Sequence, residues 1–250
     1  MRSELTKSWI HHGKPRPDNL ADRVYNQIKD DIFEFRLLPG SRFTETEVAR
    51  RTSASRTPVR QALYRLQREG YLEVYYRNGW RVRPFDFDYF EELYDVRIVL
   101  ELAAVERLCR APAGQASPEL EELRETWLSG ERLREPPLVA ALDERFHCLL
   151  MDAAGNREMA RLHRELNERI RIIRRLDFTQ EYRVEATYRE HGEILESIFA
   201  RNLVEAQQRL RSHIELSRAE VRKITWQTLQ EARERASSQA EPEIVVPKKR

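Results

Sequence analysis

Four residues in the second half of the chain carry metal-ligand chemistry: Asp143, His147, His191 and His213. Asp143 and His147 are four apart, so on a helix their side chains lie one above the other and can chelate a single ion. His191 shares a helical face with Val184, Tyr188, Leu195 and Ile198, and His213 shares one with Leu203, Ala206, Leu210, Ser217 and Val221. Both imidazoles are therefore expected to point inward. A single inward histidine is more often a hydrogen-bonded core residue than a ligand, and that reading stays open; three with an aspartate, on three helices able to converge, favour a metal. This donor set suits a divalent transition ion, zinc first, with nickel, manganese or iron also compatible. An open position on such an ion could activate water, so a metal-dependent hydrolase is an alternative, although no further carboxylate or histidine is spaced as an obvious general base.

The first half offers a different chemistry. Ser55, Arg56, Thr57 and Arg60 fall in the opening turn and a half of a short helix whose other face is Val59, Ala62, Leu63 and Leu66. Arginine can read guanine O6 and N7 with two hydrogen bonds, while hydroxyls and free helix N–H groups suit phosphate oxygens. Arg56 and Arg60 are expected on bases or phosphates, Ser55 and Thr57 on phosphates. Arg77 and Arg81 flank a tip made by Asn78 and Gly79, from which they could reach a minor groove or the backbone of double-stranded DNA. The alternative is that these are solvated arginines on an ordinary helix and hairpin.

The elements that must position these residues follow from capping and periodicity. A helix opens near Asp18 or Asn19, carries Leu20, Val24, Ile28 and Ile32 on one face, and is stopped by Leu37-Leu38-Pro39-Gly40. Thr44 and Glu47 have capping-box spacing and open a second helix; Ser53-Ala54-Ser55 makes the turn to a third that ends at Gly70. Residues 71–76 and 80–83 read as a hairpin around Asn78-Gly79, the only convincing β structure. From Asp86 the pattern is helical, with helices at about 87–109, 118–133, 138–153, 157–176, 181–200 and 203–232, lengths that suit an antiparallel bundle. The expected fold is mainly α: an N-terminal winged helix-turn-helix with a small hairpin wing, then an all-α antiparallel bundle. Residues 1–17 read as a flexible arm, 18–85 as the DNA-binding domain, 86–234 as the bundle and 235–250 as a disordered tail.

Composition agrees with two modules of different character. Through Phe85 there are 17 Lys and Arg against 10 Asp and Glu, and beyond it 27 against 32, so a basic first third precedes an acidic remainder. That asymmetry points to a polyanion partner for the first module. Cys109 and Cys148 lie in helical patterns with no partner motif, which argues against a disulfide framework. No apolar run approaches the roughly 18 residues of a membrane span, and the expected location is cytoplasmic.

The run Ser55-Arg56-Thr57-Pro58-Val59-Arg60-Gln61-Ala62-Leu63, followed by Leu66, Gly70 and Leu72, resembles the signature of the GntR family of bacterial transcription regulators. The resemblance covers about Leu20 to Phe85 and implies DNA contacts for Arg56, Thr57, Arg60 and the wing around Gly79. The family often places a further polar contact in the preceding helix, which here falls near Thr46. Asp143-Glu144-Arg145-Phe146-His147, the Ala154-Gly155-Asn156 turn, Glu190-His191 with Ile194, and His213 resemble the FCD ligand-binding domain of the FadR subfamily, over about Phe87 to Arg233. This implies a metal held by the four ligands, with positions left for water or for an oxygen of a carboxylate effector. It also implies that Arg97 faces the pocket, whereas the residues alone allow a structural ion pair with Glu101. Arg169, Arg171, Arg174 and Arg175 read as a solvated face, with Arg171 the member able to reach inward, and His163 as a surface or capping residue. The expected whole is a homodimeric regulator, a repressor, on a pseudo-palindromic operator, governed by a small organic acid.

Overall fold

The structure is a computed structural model that describes residues 19–75, 79–112, 117–130, 132–177, 181–223 and 229–234. The expected arm and tail, and Arg77 with Asn78 at the wing tip, lie outside the described residues. Contacts divide the chain into two compact units: Met1–Phe85 with Thr225–Arg250, and Asp86–Ile224. Among the described residues no helix is long and apolar enough to cross a membrane.

In the first unit, α1 (Leu20–Phe33) starts where the Asn19 side chain accepts from the Asp22 backbone N–H at 2.9 Å. It stops short of the Leu37-Leu38-Pro39-Gly40 signal: Phe35 adopts a left-handed φ of 58°, and the Leu37 N–H returns to the Asp31 carbonyl at 2.8 Å. Leu37 and Leu38 are buried all the same, so the apolar run continues the core without continuing the helix.

The capping box opens α2 (Glu45–Arg51), with Thr44 Oγ1 accepting from Glu47 N–H at 3.2 Å and Glu47 Oε2 accepting from Thr44 N–H at 2.7 Å. The third helix, α3 (Arg56–Arg68), buries Val59, Ala62, Leu63 and Leu66 and packs on α1 and α2.

The sheet holds one strand more than expected. Besides β2 (Leu72–Tyr75) and β3 (Gly79–Val82), β1 (Arg42–Thr44) pairs antiparallel with β3, giving the order β1-β3-β2. Three residues with one apolar member, Phe43, carry no readable alternation. The strand is fixed by its pairing, with Phe43 opposite Trp80.

The second unit is a helical bundle: α4 (Phe87–Arg110), α5 (Pro118–Arg124), α6 (Pro136–Ala153), α7 (Arg157–Asp177), α8 (Glu181–Phe199) and α9 (Leu203–Val221). The long α4 packs against α6, α7, α8 and α9, so its buried face can meet side chains from all four. The helix expected at 118–133 gives way after Arg124 to a π turn, Glu125–Ser129. It ends at Gly130, where a Cβ would stand 2.5 Å from the Glu125 carbonyl oxygen. Only glycine fits that approach. The helix expected at 203–232 ends at Val221.

Candidate metal centre and DNA-reading surface

Asp143 and His147 lie one turn apart on α6, His191 on α8 and His213 on α9, and all four side chains are buried. One ligand atom from each falls within 4.8 Å of all the others. His213 Nε2 is 3.3 Å from His191 Nε2 and 3.3 Å from His147 Nε2; Asp143 Oδ1 is 3.3, 3.7 and 3.9 Å from the Nε2 atoms of His191, His147 and His213. At bond lengths of about 2.1 Å, ligands separated by about 90–110° around one ion sit roughly 3.0–3.4 Å apart. Three of these separations, at 3.3 Å, meet that spacing, and the 3.7 and 3.9 Å pairs would have to close by a few tenths of an ångström around an ion.

The outer nitrogens explain why the Nε2 atoms face one another. His147 Nδ1 donates to Glu101 Oε2 at 2.7 Å and His213 Nδ1 donates to Glu190 Oε2 at 2.7 Å. A carboxylate on Nδ1 holds the proton there and leaves the Nε2 lone pair turned inward, the usual arrangement behind metal-ligating histidines. His191 is held by packing: its ring stacks on Phe146 at 3.7 Å, and Trp127 meets it edge-on at 4.2 Å. The π turn carries Trp127 to this position.

Burial depresses the basicity of all three imidazoles. His213 is lowered to about 4, first by burial and further by His147, against the raising pull of Glu190. His191 is held well below its ordinary range, by burial first and by His213 and His147 beside it. His147 is lowered by burial and by Arg97. The imidazoles are therefore neutral near pH 7, the form that binds a metal. The donor set, its spacing and its carboxylate supports fit a divalent transition ion.

Arg97 on α4 is 1 % exposed and donates from Nε to Glu101 Oε1 at 2.7 Å, the ion pair that its spacing allowed. Its Nη1 and Nη2 are buried with no hydrogen-bond partner among the described residues. Burial alone would raise the Glu101 carboxyl, but His147, Arg97 and the hydrogen bonds from His147 and His163 hold it well below the usual carboxylate range.

Two expectations about α7 are corrected. His163 is fully buried rather than on the surface, and its Nε2 stands 2.9 Å from Glu101 Oε1. Of the arginine cluster, the inward member is Arg174, which is buried and pairs with Asp143 Oδ2. Arg171 instead pairs with Glu144 (Nε–Oε2 2.8 Å), and Arg169 is exposed, donating to the Tyr89 hydroxyl at 3.0 Å. The signal was present in the spacing, because Ala160, His163, Asn167, Ile170 and Arg174 share one helical face. Three of the five are polar, which disguised it as a wet surface.

On the DNA-reading unit, Ser55 is the N-cap of α3, without a side-chain cap bond, and Ser55, Arg56, Thr57 and Arg60 are all exposed. Arg60 forks onto Glu45 of α2. Gly79 opens β3, and Arg81 pairs with Glu73 across the hairpin. Arg42 on β1 lies over the Tyr75 ring with its guanidinium carbon 3.9 Å from the centroid. That flanking cation was not among the expected site residues.

A winged helix-turn-helix joined to a helical bundle with a buried Asp/His cluster defines a class of bacterial transcription regulators. Residues 20–82 match the gntR family of bacterial regulatory proteins and residues 92–216 match the FCD domain. The chain belongs to the GntR family and carries an FCD domain. It is 33% identical over 201 residues, 80% of this chain and 89% of the relative, to the HTH-type transcriptional regulator YdhC of Bacillus subtilis (strain 168). It is 23% identical to the HTH-type transcriptional repressor RspR of Escherichia coli (strain K12), over 81% of this chain and 89% of the relative. Its fold is similar to that of a GntR transcriptional regulator from Rhodococcus sp. RHA1, with a TM-score of 0.65 at 22% identity, covering 82% of this chain and 98% of that one. The chain is thus a DNA-binding transcription regulator and not an enzyme, which sets the hydrolase alternative aside.

Proposed function

We propose that this regulator is a repressor whose operator affinity is set by a small carboxylate bound at Arg97, beside a divalent transition metal held by Asp143, His147, His191 and His213. The observation that carries the reading is the buried Arg97 guanidinium, whose Nη1 and Nη2 have no partner, close to four converging ligand atoms. Glu101 compensates the charge through Nε, but two buried N–H-bearing nitrogens without acceptors are costly, and a carboxylate matches them with two parallel bonds. The metal, zinc first by its ligand set, supplies Lewis acidity toward an effector oxygen. Glu101 accepts from both Arg97 and His147, so effector and metal sites share one carboxylate. The repressor assignment is supported by the name of RspR. A two-fold homodimer would place two α3 helices, with Ser55, Arg56, Thr57 and Arg60, in successive major grooves of a pseudo-palindromic operator, with Gly79, Arg81 and Arg77 of each wing alongside. Such binding occurs in the cytoplasm.

The test uses untagged full-length protein. Elemental analysis should find about one transition ion per chain, lost in His191→Ala. Fluorescence anisotropy on the promoter region of the protein's own operon should show salt-dependent specific binding that a screen of small organic acids relieves. Relief abolished by Arg97→Met supports the effector site; operator affinity no better than for random duplex at physiological salt overturns the reading.

A further inference from the structure

Arg60 and Arg56 occupy the same exposed end of α3 but are held differently. Arg56 makes no hydrogen bond or ion pair with the described residues, whereas Arg60 is forked onto Glu45: Nε lies 3.1 and 3.3 Å from Oε1 and Oε2, and Nη2 lies 3.0 Å from Oε2. The carboxylate is the anchored partner, with its side chain 16% exposed against 58% for Arg60. It is not occupied in capping, because the N-terminus of α2 is already closed by Thr44 and Glu47.

An exposed ion pair contributes at most about 1 kcal/mol to folding, so stability gives this contact little purpose. A carboxylate beside a DNA-reading helix also repels phosphate. Its geometric effect is specific. A guanidinium has two fork-shaped edges; Glu45 takes the Nε/Nη2 edge and leaves the Nη1/Nη2 edge pointing outward, the edge that matches O6 and N7 of guanine. A fixed arginine loses less rotamer freedom on binding than a loose one, and its charge is partly neutralised, which weakens indiscriminate attraction to backbone.

We propose that Glu45 is a positioning residue for DNA reading, holding Arg60 to read one guanine in each half-site and lowering affinity for DNA without it. Arg56, untethered, serves the backbone. The inference rests on α3 being the reading helix.

The experiment uses full-length protein and a duplex selected by the wild type from a randomised library. Affinities are measured for that duplex, its single-base-pair variants and a random duplex, with wild type, Glu45→Gln, Glu45→Asp, Arg60→Ala and the Glu45→Gln/Arg60→Ala double variant, all confirmed folded by circular dichroism. Arg60→Ala should erase preference at one base pair per half-site, roughly tenfold or more. Glu45→Gln should relax preference at that same pair by about fivefold or more, bind random duplex as well as or better than wild type, and add nothing in the double variant; Glu45→Asp should keep part of the preference. If Arg60→Ala relaxes a base pair while Glu45→Gln changes all duplexes by one common factor, or relaxes a different pair, the positioning role is wrong and the reading helix stands. If Arg60→Ala relaxes no base pair, the positioning role is wrong; if the wild type selects no duplex over random sequence, the reading helix fails with it.

Discussion

The two units hold their charges in opposite ways. On the DNA-reading face, Arg60 and Arg81 sit on the rim, paired to Glu45 and Glu73, carboxylates that solvent also reaches; Asp31, which holds Arg36 and Arg51, is the buried exception in that unit. The bundle has exposed pairs of its own, such as Arg161 with Glu158, but around its Asp/His cluster the charges are interior: Arg97, Glu101, Asp143 and Arg174 are buried, with four imidazoles among them. A surface pair can be exchanged for DNA at little cost, whereas a buried one is a fixed part of the fold, and removing one member strands the others. The first arrangement suits a surface that must change partners, the second an interior that must keep its shape.

The contrast is sharpest at Glu101. Glu101→Ala removes the partner of Arg97, His147 and His163 together, and is expected to destabilise the bundle by about 3–5 kcal/mol in urea unfolding. A loss below about 1 kcal/mol would break the comparison.

Acid gives the next largest effect. In chelator-treated protein His213 titrates near 4 against 6.5 in the unfolded chain, and His147, His163 and His191 are also lowered, each by burial first. Their folded values are depressed, so the unfolded chain takes up protons first as pH falls. The stability they confer is whole above about pH 6.5 and drains away towards about pH 4, at up to roughly 1.4 kcal/mol per pH unit for each histidine. No histidine lies between Leu20 and Phe85, so thermal melts at pH 7 and pH 5 should shift the bundle far more than the winged unit. Equal shifts would contradict the division.

The smallest effect belongs to the rim. Glu73→Ala, which frees Arg81, should change stability by less than about 1 kcal/mol at 0.15 M salt while raising affinity for random duplex, readable by the same unfolding and anisotropy measurements.

Legibility followed the same line. The helices of the winged unit and the capping box of α2 were plain because caps and apolar faces are local signals, and the convergence of the Asp/His quartet was plain because Asp143 and His147 stand one turn apart and His191 and His213 sit on apolar stripes. His163 and Arg174 were hidden because they lie on a buried face made mostly of polar residues, where periodicity of apolar character gives no contrast. β1 was hidden for a different reason: three residues owe their extended form to a partner almost forty positions away. The π turn could not be read at all, since Glu125 to Ser129 would suit an ordinary helix and only the close approach at Gly130 betrays the extra residue.

That turn leaves Trp127 edge-on to His191 at 4.2 Å, inside the bundle and against Phe146 and Tyr188. An indole so close to an imidazole is an optical gauge already installed in the molecule. With the other three tryptophans of the chain replaced by phenylalanine, its emission would brighten or dim as the neighbouring ring takes up a proton or an ion, so a change of state at His191 could be followed in real time without attaching a dye.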